Sequence, residues 1–306
     1  MEHNMQKLQE LAAKNGPLCV GLDTDPSYIP PSILKEYSSP AQAVLAYNRE
    51  IISRVQSAGS ACCCKVQIAY YEAMGIEGMK AYSQTLRLVK DAGLVCISDI
   101  KRGDIANTAG AYAKAHFSGD FETDIITVNP YMGFETLNPF TEYCASQGKG
   151  IFVLLRTSNP GMADIEWQEL KSGGRVMDKT GSELNRLAAQ FAAQYTGQRC
   201  SPVGAVVGCT EEADARNIRD AYPDIFFLIP GYGAQGGAAR IAATLLAKAG
   251  GTVNSSRGIL CAWKKSSTCR QKEQDGTLTM DDLGDAAGAA AIAAKQELTA
   301  AVQELG

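Results

Sequence analysis

Histidine is nearly absent from this chain: His3 and His116 are the only two among 306 residues. That leaves too few for a histidine-ligated metal centre, and a histidine-based triad has little to draw on. Acid–base work must then fall to Asp, Glu, Lys or Tyr. Long apolar runs are also missing, and none approaches the ~18–20 residues a bilayer-spanning helix needs. The stretch Met1-Glu2-His3-Asn4-Met5-Gln6-Lys7 is polar and lacks the apolar core of a signal peptide. Neither sign of charge dominates, since 29 Lys and Arg face 33 Asp and Glu for a net charge of −4. Nothing in that balance calls for nucleic acid or an anionic membrane as partner. The expectation is a cytoplasmic protein.

Cysteine is not scarce, at ten, but metal-binding spacing is. No C-x-x-C pair has a matching second pair, and Cys62, Cys63 and Cys64 are consecutive, which cannot put three thiolates on one ion without breaking a strand. Cys19, Cys96 and Cys209 lie within or beside apolar runs, as small buried residues do. We therefore expect reduced packing residues and no metal.

Hydrophobic residues at 45% and charged residues at 20% describe a globular chain with a full-sized core. Eight short apolar runs read as strands: 18–21, 63–68, 94–99, 124–128, 151–155, 203–207, 225–229 and 251–254. Amphipathic stretches lie between them. One carries Val44, Tyr47, Ile51 and Val55 at helical spacing, with Ser39 as N-cap, Pro40 at the first position and Gln42 completing a capping box. A last helix is expected over 285–305. Strands alternating with helices imply parallel pairing, and eight units in this length fit a closed (β/α)8 TIM barrel as a single α/β domain over 1–306. Gly21-Leu22-Asp23-Thr24-Asp25-Pro26 after the first strand is carboxylate-rich and unsuited to a dinucleotide pyrophosphate. Two polar stretches, 161–180 and 269–284, read as insertions on the barrel.

In a barrel of this kind the site is built at the carboxyl ends of the strands. The stretch Asp99-Ile100-Lys101-Arg102-Gly103-Asp104 closes the third strand. Residues two apart on a strand share a face, which puts Asp99 and Lys101 together. Gly103 supplies the backbone freedom for a turn before Asp104. Lys65 interrupts the apolar run Cys62–Ile68 and needs carboxylate partners, with Asp23, Asp99 and Asp104 nearest by topology. Arg102, Lys114 and Glu135 read as solvated surface charges. After strand seven, Pro230-Gly231-Tyr232-Gly233-Ala234-Gln235-Gly236-Gly237 leads into a helix, and Arg257 follows strand eight. A glycine-rich loop with a neighbouring guanidinium suits a phosphate.

The run Asp99-x-Lys101-x-x-Asp104-Ile105-x-x-Thr108, with Asp23, Lys65, Thr157-Ser158-Asn159-Pro160-Gly161, the 230–237 loop and Arg257, resembles the orotidine 5′-phosphate decarboxylase family. The longer bacterial branch is the nearer likeness. The resemblance implies conversion of orotidine 5′-phosphate to UMP, the last step of de novo pyrimidine nucleotide synthesis, without cofactor or metal. It implies a charge-alternating tetrad of Lys65, Asp99, Lys101 and Asp104, with Lys101 protonating C6 of the pyrimidine and Asp99 beside the substrate carboxylate. It further implies a homodimer in which Asp104 and Thr108 serve the partner's site. Asp23 and Lys65 would hold the ribose hydroxyls, Ser158 would read the pyrimidine amide edge, and Gln235 and Arg257 would bind phosphate. A magnesium-dependent sugar-phosphate lyase of the same superfamily shares the D-x-K-x-x-D run but carries a carboxylate where this chain has Lys65. A nucleotide-binding barrel without turnover, or a Schiff-base aldolase, would have less use for a lysine between two aspartates.

Overall fold

A computed structural model describes residues 2–232 and 238–305. The apolar runs form eight strands: β1 (Leu18–Leu22), β2 (Cys63–Gln67), β3 (Val95–Arg102), β4 (Ile125–Val128), β5 (Gly150–Arg156), β6 (Val203–Val207), β7 (Phe227–Ile229) and β8 (Gly251–Ser255). They pair in parallel, each with its sequence neighbour, and β8 returns to β1 to close the barrel. The TIM-barrel expectation holds. The largest departure in a strand boundary is β3, which continues three residues beyond Asp99, through the charged positions that mark a strand end to a periodicity argument.

Side chains alternate into and out of the barrel, giving two cores. Inside, Cys19, Cys63, Val95, Ile97, Ile125, Phe152, Val206, Phe226 and Leu228 fill the lower layers. Gly204 leaves room for Phe152 there, since a Cβ would come 2.7 Å from the ring. The helix Asn4–Asn15 closes the bottom with Met5 and Leu8, both fully buried. A larger outer core packs the strands against the surrounding helices.

The helix Pro40–Ala58 starts where Ser39 predicts, the Ser39 hydroxyl accepting the Gln42 N–H at 3.3 Å. The capping box is only half formed, because Gln42 Oε1 accepts from the Ser38 hydroxyl at 2.7 Å instead of turning to Ser39. The last helix runs Met280–Leu305, five residues earlier than expected. Thr279 and Asp282 explain this: Asp282 Oδ2 accepts the Thr279 N–H at 3.0 Å and Thr279 Oγ1 accepts the Asp282 N–H at 3.2 Å, a reciprocal cap. The expected insertion 269–284 is thus occupied by a helix, Ser267–Gln274, and the first turn of the last helix. Stretch 161–180 folds as a 3-10 turn (Pro160–Asp164), a bridge between Glu169 and Arg175, and the start of the helix Val176–Gln190.

All ten cysteines are free thiols, eight of them buried. Among the described residues, no helix is long and apolar enough to cross a membrane.

Candidate active site at the carboxyl ends of the strands

The barrel interior changes character in its top layer. Register pairs Gly21 with Lys65 and Gln67 with Asp99, so Lys65 lies one layer below the level of Asp23 and Asp99. Its long side chain rises between them, with Nζ 3.1 Å from Asp23 Oδ1 and 3.0 Å from Asp99 Oδ2. The other Asp99 oxygen receives Lys101 Nζ at 2.6 Å and the Thr127 hydroxyl at 2.9 Å. On the far side, the Ser256 hydroxyl donates to Asp23 Oδ2 at 2.7 Å and accepts from Asn254 Nδ2 at 3.1 Å. A continuous hydrogen-bonded arc therefore runs from β8 over β1, β2 and β3 to β4.

Electrostatics fixes the charge of the two buried members. Burial opposes the ammonium of Lys65, but attraction from Asp99 and then Asp23 overrides it and raises its pKa above the ordinary lysine value. Burial likewise pushes Asp99 up, and Lys65 and Lys101 together outweigh that and hold the carboxylate well below its usual range. Lys101 differs in access: its side chain is 46% exposed, against 6% for Lys65 and 8% for Asp99. It is the more exposed of the two ammonium groups in the array.

The backbone at Lys101 is unusual. Its φ is 45°, in the left-handed region that costs a non-glycine residue about 1–2 kcal/mol. Thr127 Oγ1 holds it there by accepting the N–H groups of Ile100 and Lys101 at 3.0 and 2.9 Å. The turn expected from Gly103 is thus made elsewhere, by Lys101 and by Ala106 with φ 48°. Gly103 is instead needed for space, because a Cβ there would sit 2.9 Å from the Asn129 carbonyl oxygen. Arg102 is not the solvated charge expected: it is half-buried, pairs with Glu72 at 2.7 Å and lies over the Tyr112 ring at 5.4 Å.

The remaining candidates ring this arc at strand ends. Asp104 lies on the loop after β3, its carboxylate accepting the Ile105 N–H at 2.8 Å, and among the described residues no ion pair joins it to a lysine. Thr108 is exposed on the first turn of the helix Ala106–Phe117. Ser158 is exposed after β5 and leans on Gly208 at the end of β6, where a Cβ would come 2.9 Å from that of Ser158. Arg257 is exposed after β8. Gln235 lies outside the described residues. In one chain the fold therefore brings together Asp23, Lys65, Asp99 and Lys101, and leaves Asp104 and Thr108 apart.

Three polar partners escaped the sequence reading: Thr127, Asn254 and Ser256. Each lies on the inward face at a strand's carboxyl end, and alternation from Ile125 on β4 would have placed Thr127 there. Gly21 belongs with them, since a Cβ at that position would fall 2.0 Å from Ser256 Oγ. Gln67 serves locally, accepting the Ala69 N–H at 3.3 Å at the start of the helix Ile68–Glu72.

A parallel eight-stranded barrel with a buried lysine–carboxylate array at the top of its strands defines a TIM-barrel enzyme. A model of the orotidine 5′-phosphate decarboxylase / HUMPS family matches residues 16–271. An orotidine 5′-phosphate decarboxylase of Clostridium novyi (strain NT) is 50% identical over 262 residues, covering 85% of this chain and 90% of the relative. One from Clostridium botulinum (strain Kyoto / Type A2) is 50% identical over the same coverage. Among solved structures, the Leishmania donovani OMP decarboxylase superposes with a TM-score of 0.71 at 27% identity, covering 98% of this chain and 99% of that one. The chain belongs to the orotidine 5′-phosphate decarboxylase family.

Proposed function

We propose that this enzyme converts orotidine 5′-phosphate to UMP, in pyrimidine nucleotide synthesis, without a cofactor and with Lys101 as the proton donor. The observation that carries the reading is the exposed Lys101 ammonium 2.6 Å from a buried Asp99 that Lys65 anchors from the other side. In the reaction the C6–carboxylate bond breaks, carbon dioxide leaves, the electron pair stays on C6, and Lys101 delivers a proton to that carbon. A fixed ammonium stabilises the developing charge before it gives up the proton. One unit-charge pair about 4 Å apart contributes roughly 4 kcal/mol at an effective dielectric near 20. That is less than a hard decarboxylation needs, so the phosphate grip contributes remote binding energy.

Lys65 also speaks for a site without metal. Its ammonium lies within 3.1 Å of both Asp23 and Asp99, the space between carboxylates that a divalent cation would need. In this reading Asp99 lies beside the substrate carboxylate, Asp23 and Lys65 hold the ribose hydroxyls, and Ser158 reads the pyrimidine amide edge. Gln235 and Arg257 take the phosphate.

The enzyme acts as a homodimer in which Asp104 and Thr108 complete the partner's site. Supporting this, Ile105, Tyr131 and Met132 are large apolar side chains 43–79% exposed just beyond β3 and β4, and Ile76, 78% exposed, lies at the start of the second helix after β2. A surface of that kind beside unpaired site residues fits a second copy of the chain. Ten free thiols fit the reducing cytoplasm as its compartment. The test is an ultraviolet assay of the purified protein with orotidine 5′-phosphate, with and without EDTA. Turnover in both is expected; activity lost in EDTA and restored by magnesium would sink the metal-free reading.

A further inference from the structure

The stretch 160–176 turns back onto the end of β5, and two contacts bind it there. Two guanidinium groups lie over the Trp167 ring, Arg156 at 5.4 Å and Arg175 at 5.1 Å. Arg156, the last residue of β5, is 3% exposed and also pairs with Asp214 at 3.2 Å. The second contact is a carboxylate clamp. Glu166 accepts the Thr157 N–H at 3.2 and 3.1 Å through its two oxygens, and the Thr157 hydroxyl at 2.6 Å.

We infer that Glu166 is a positioning residue for base recognition, holding Thr157 so that the next residue, Ser158, faces the pyrimidine. This rests on the role proposed above for Ser158. Hydrogen bonds to a charged acceptor are roughly twice as strong as neutral ones, and here both donors of Thr157, its N–H and its hydroxyl, go to one carboxylate. Glu166 is itself fixed at both backbone ends, its N–H donating to Met162 O at 2.7 Å and its carbonyl accepting the Met177 N–H at 2.9 Å. With Thr157 pinned on one side and the Ser158 Cβ seated against Gly208 on the other, the place from which the Ser158 hydroxyl projects is fixed. The inserted stretch then acts as a brace that presents the base-reading serine already oriented, lowering the ordering cost of binding.

Inhibition constants for UMP and ribose 5-phosphate separate this role from a structural one, because only UMP carries the base. Glu166→Ala should raise the UMP constant about tenfold and leave ribose 5-phosphate within about twofold, the size of a lost charged hydrogen bond acting on one contact. Glu166→Gln, which keeps one acceptor oxygen, should lie closer to the parent. Ser158→Ala should show the same selectivity as Glu166→Ala. Equal weakening of both ligands by Glu166→Ala, or no change in either, overturns the role of Glu166 while a selective Ser158→Ala leaves base reading intact. A Ser158→Ala enzyme with unchanged UMP inhibition overturns base reading and the positioning role with it. If Glu166→Ala does not fold, Thr157→Val must still weaken UMP selectively, and failure to do so overturns the proposal.

Discussion

At Lys101 the backbone and the side chain answer to different neighbours. Thr127 holds the left-handed backbone, and Asp99 holds the ammonium. Replacing the side chain with Ala therefore removes the proposed proton donor while leaving Asp99 still anchored by Lys65 and Thr127. Lys101→Ala should lower turnover by about 10²–10⁴-fold, the usual range for a general acid, and shift UMP inhibition by less than about tenfold. Comparable losses in steady-state turnover and UMP binding would remove Lys101 from that role. The two histidines act on stability instead. Burial lowers both pKa values to about 4, aided at His116 by Arg102 and resisted at His3 by its bond to the Cys200 carbonyl. Each stays neutral in the fold and takes up a proton on unfolding, so stability present above pH 6.5 is lost as pH falls from 6.5 toward 4. Asp99, held low by Lys65 and Lys101 despite its burial, adds its own loss only below its ordinary value of 3.8. His116→Gln should reduce the slope of unfolding free energy over pH 4–6.5, by up to about 1.4 kcal/mol per pH unit. Urea titrations across that range give the slope, and an unchanged one would clear His116 of the effect.

Between β1 and β8 the site depends on a missing side chain. Gly21 leaves the space in which Ser256 reaches Asp23, and a Cβ there would lie 2.0 Å from Ser256 Oγ and 2.7 Å from Asn254 Oδ1. Gly21→Ala should destabilise by about 1–3 kcal/mol, as overpacking does, and lower kcat/KM at least about tenfold by pushing Ser256 off Asp23. Adding Ser256→Ala should recover most of the melting temperature but not the activity. Full recovery of both would mean the Ser256–Asp23 bond does not matter. No pattern in the sequence reveals such a glycine, because its role is a contact across 235 positions. The strands were legible because burial on both faces writes them as continuous apolar runs. β3 was legible only as far as Asp99, since Lys101 serves the site, Arg102 pairs with Glu72, and the two charges break the apolar pattern. Lys65 was legible for the opposite reason: a lysine inside an apolar strand has to be paired. Thr127 was not, because threonine is ordinary in a strand and its three hydrogen bonds are all tertiary. The start of the last helix was written in the sequence as Thr279-x-x-Asp282, hidden within a polar stretch that reads as an insertion.

At the scale of the assembly, the proposed homodimer would divide the D-x-K-x-x-D run between two molecules. Within one chain Asp99 and Lys101 are bonded at 2.6 Å, whereas Asp104 turns to its own loop and Thr108 faces solvent. The exposed Ile105 lies between them in sequence, so a partner seated on that side chain would meet Asp104 and Thr108 as well. If each barrel takes these two residues from its partner, defects at 101 and 104 are separable. Chains carrying Lys101→Ala and chains carrying Asp104→Ala should each be nearly inactive alone. In a mixed dimer, the Asp104→Ala chain keeps its own Lys101 and borrows Asp104 from its partner, which makes one intact site. The other site carries both defects. Random exchange of equal amounts makes half the dimers mixed, so about a quarter of the parent activity should return. Mixing after dissociation and re-association, with differently tagged chains to count the mixed dimers, gives the comparison. Mixed dimers that form but stay inactive would place Asp104 in the same site as the Lys101 of its own chain.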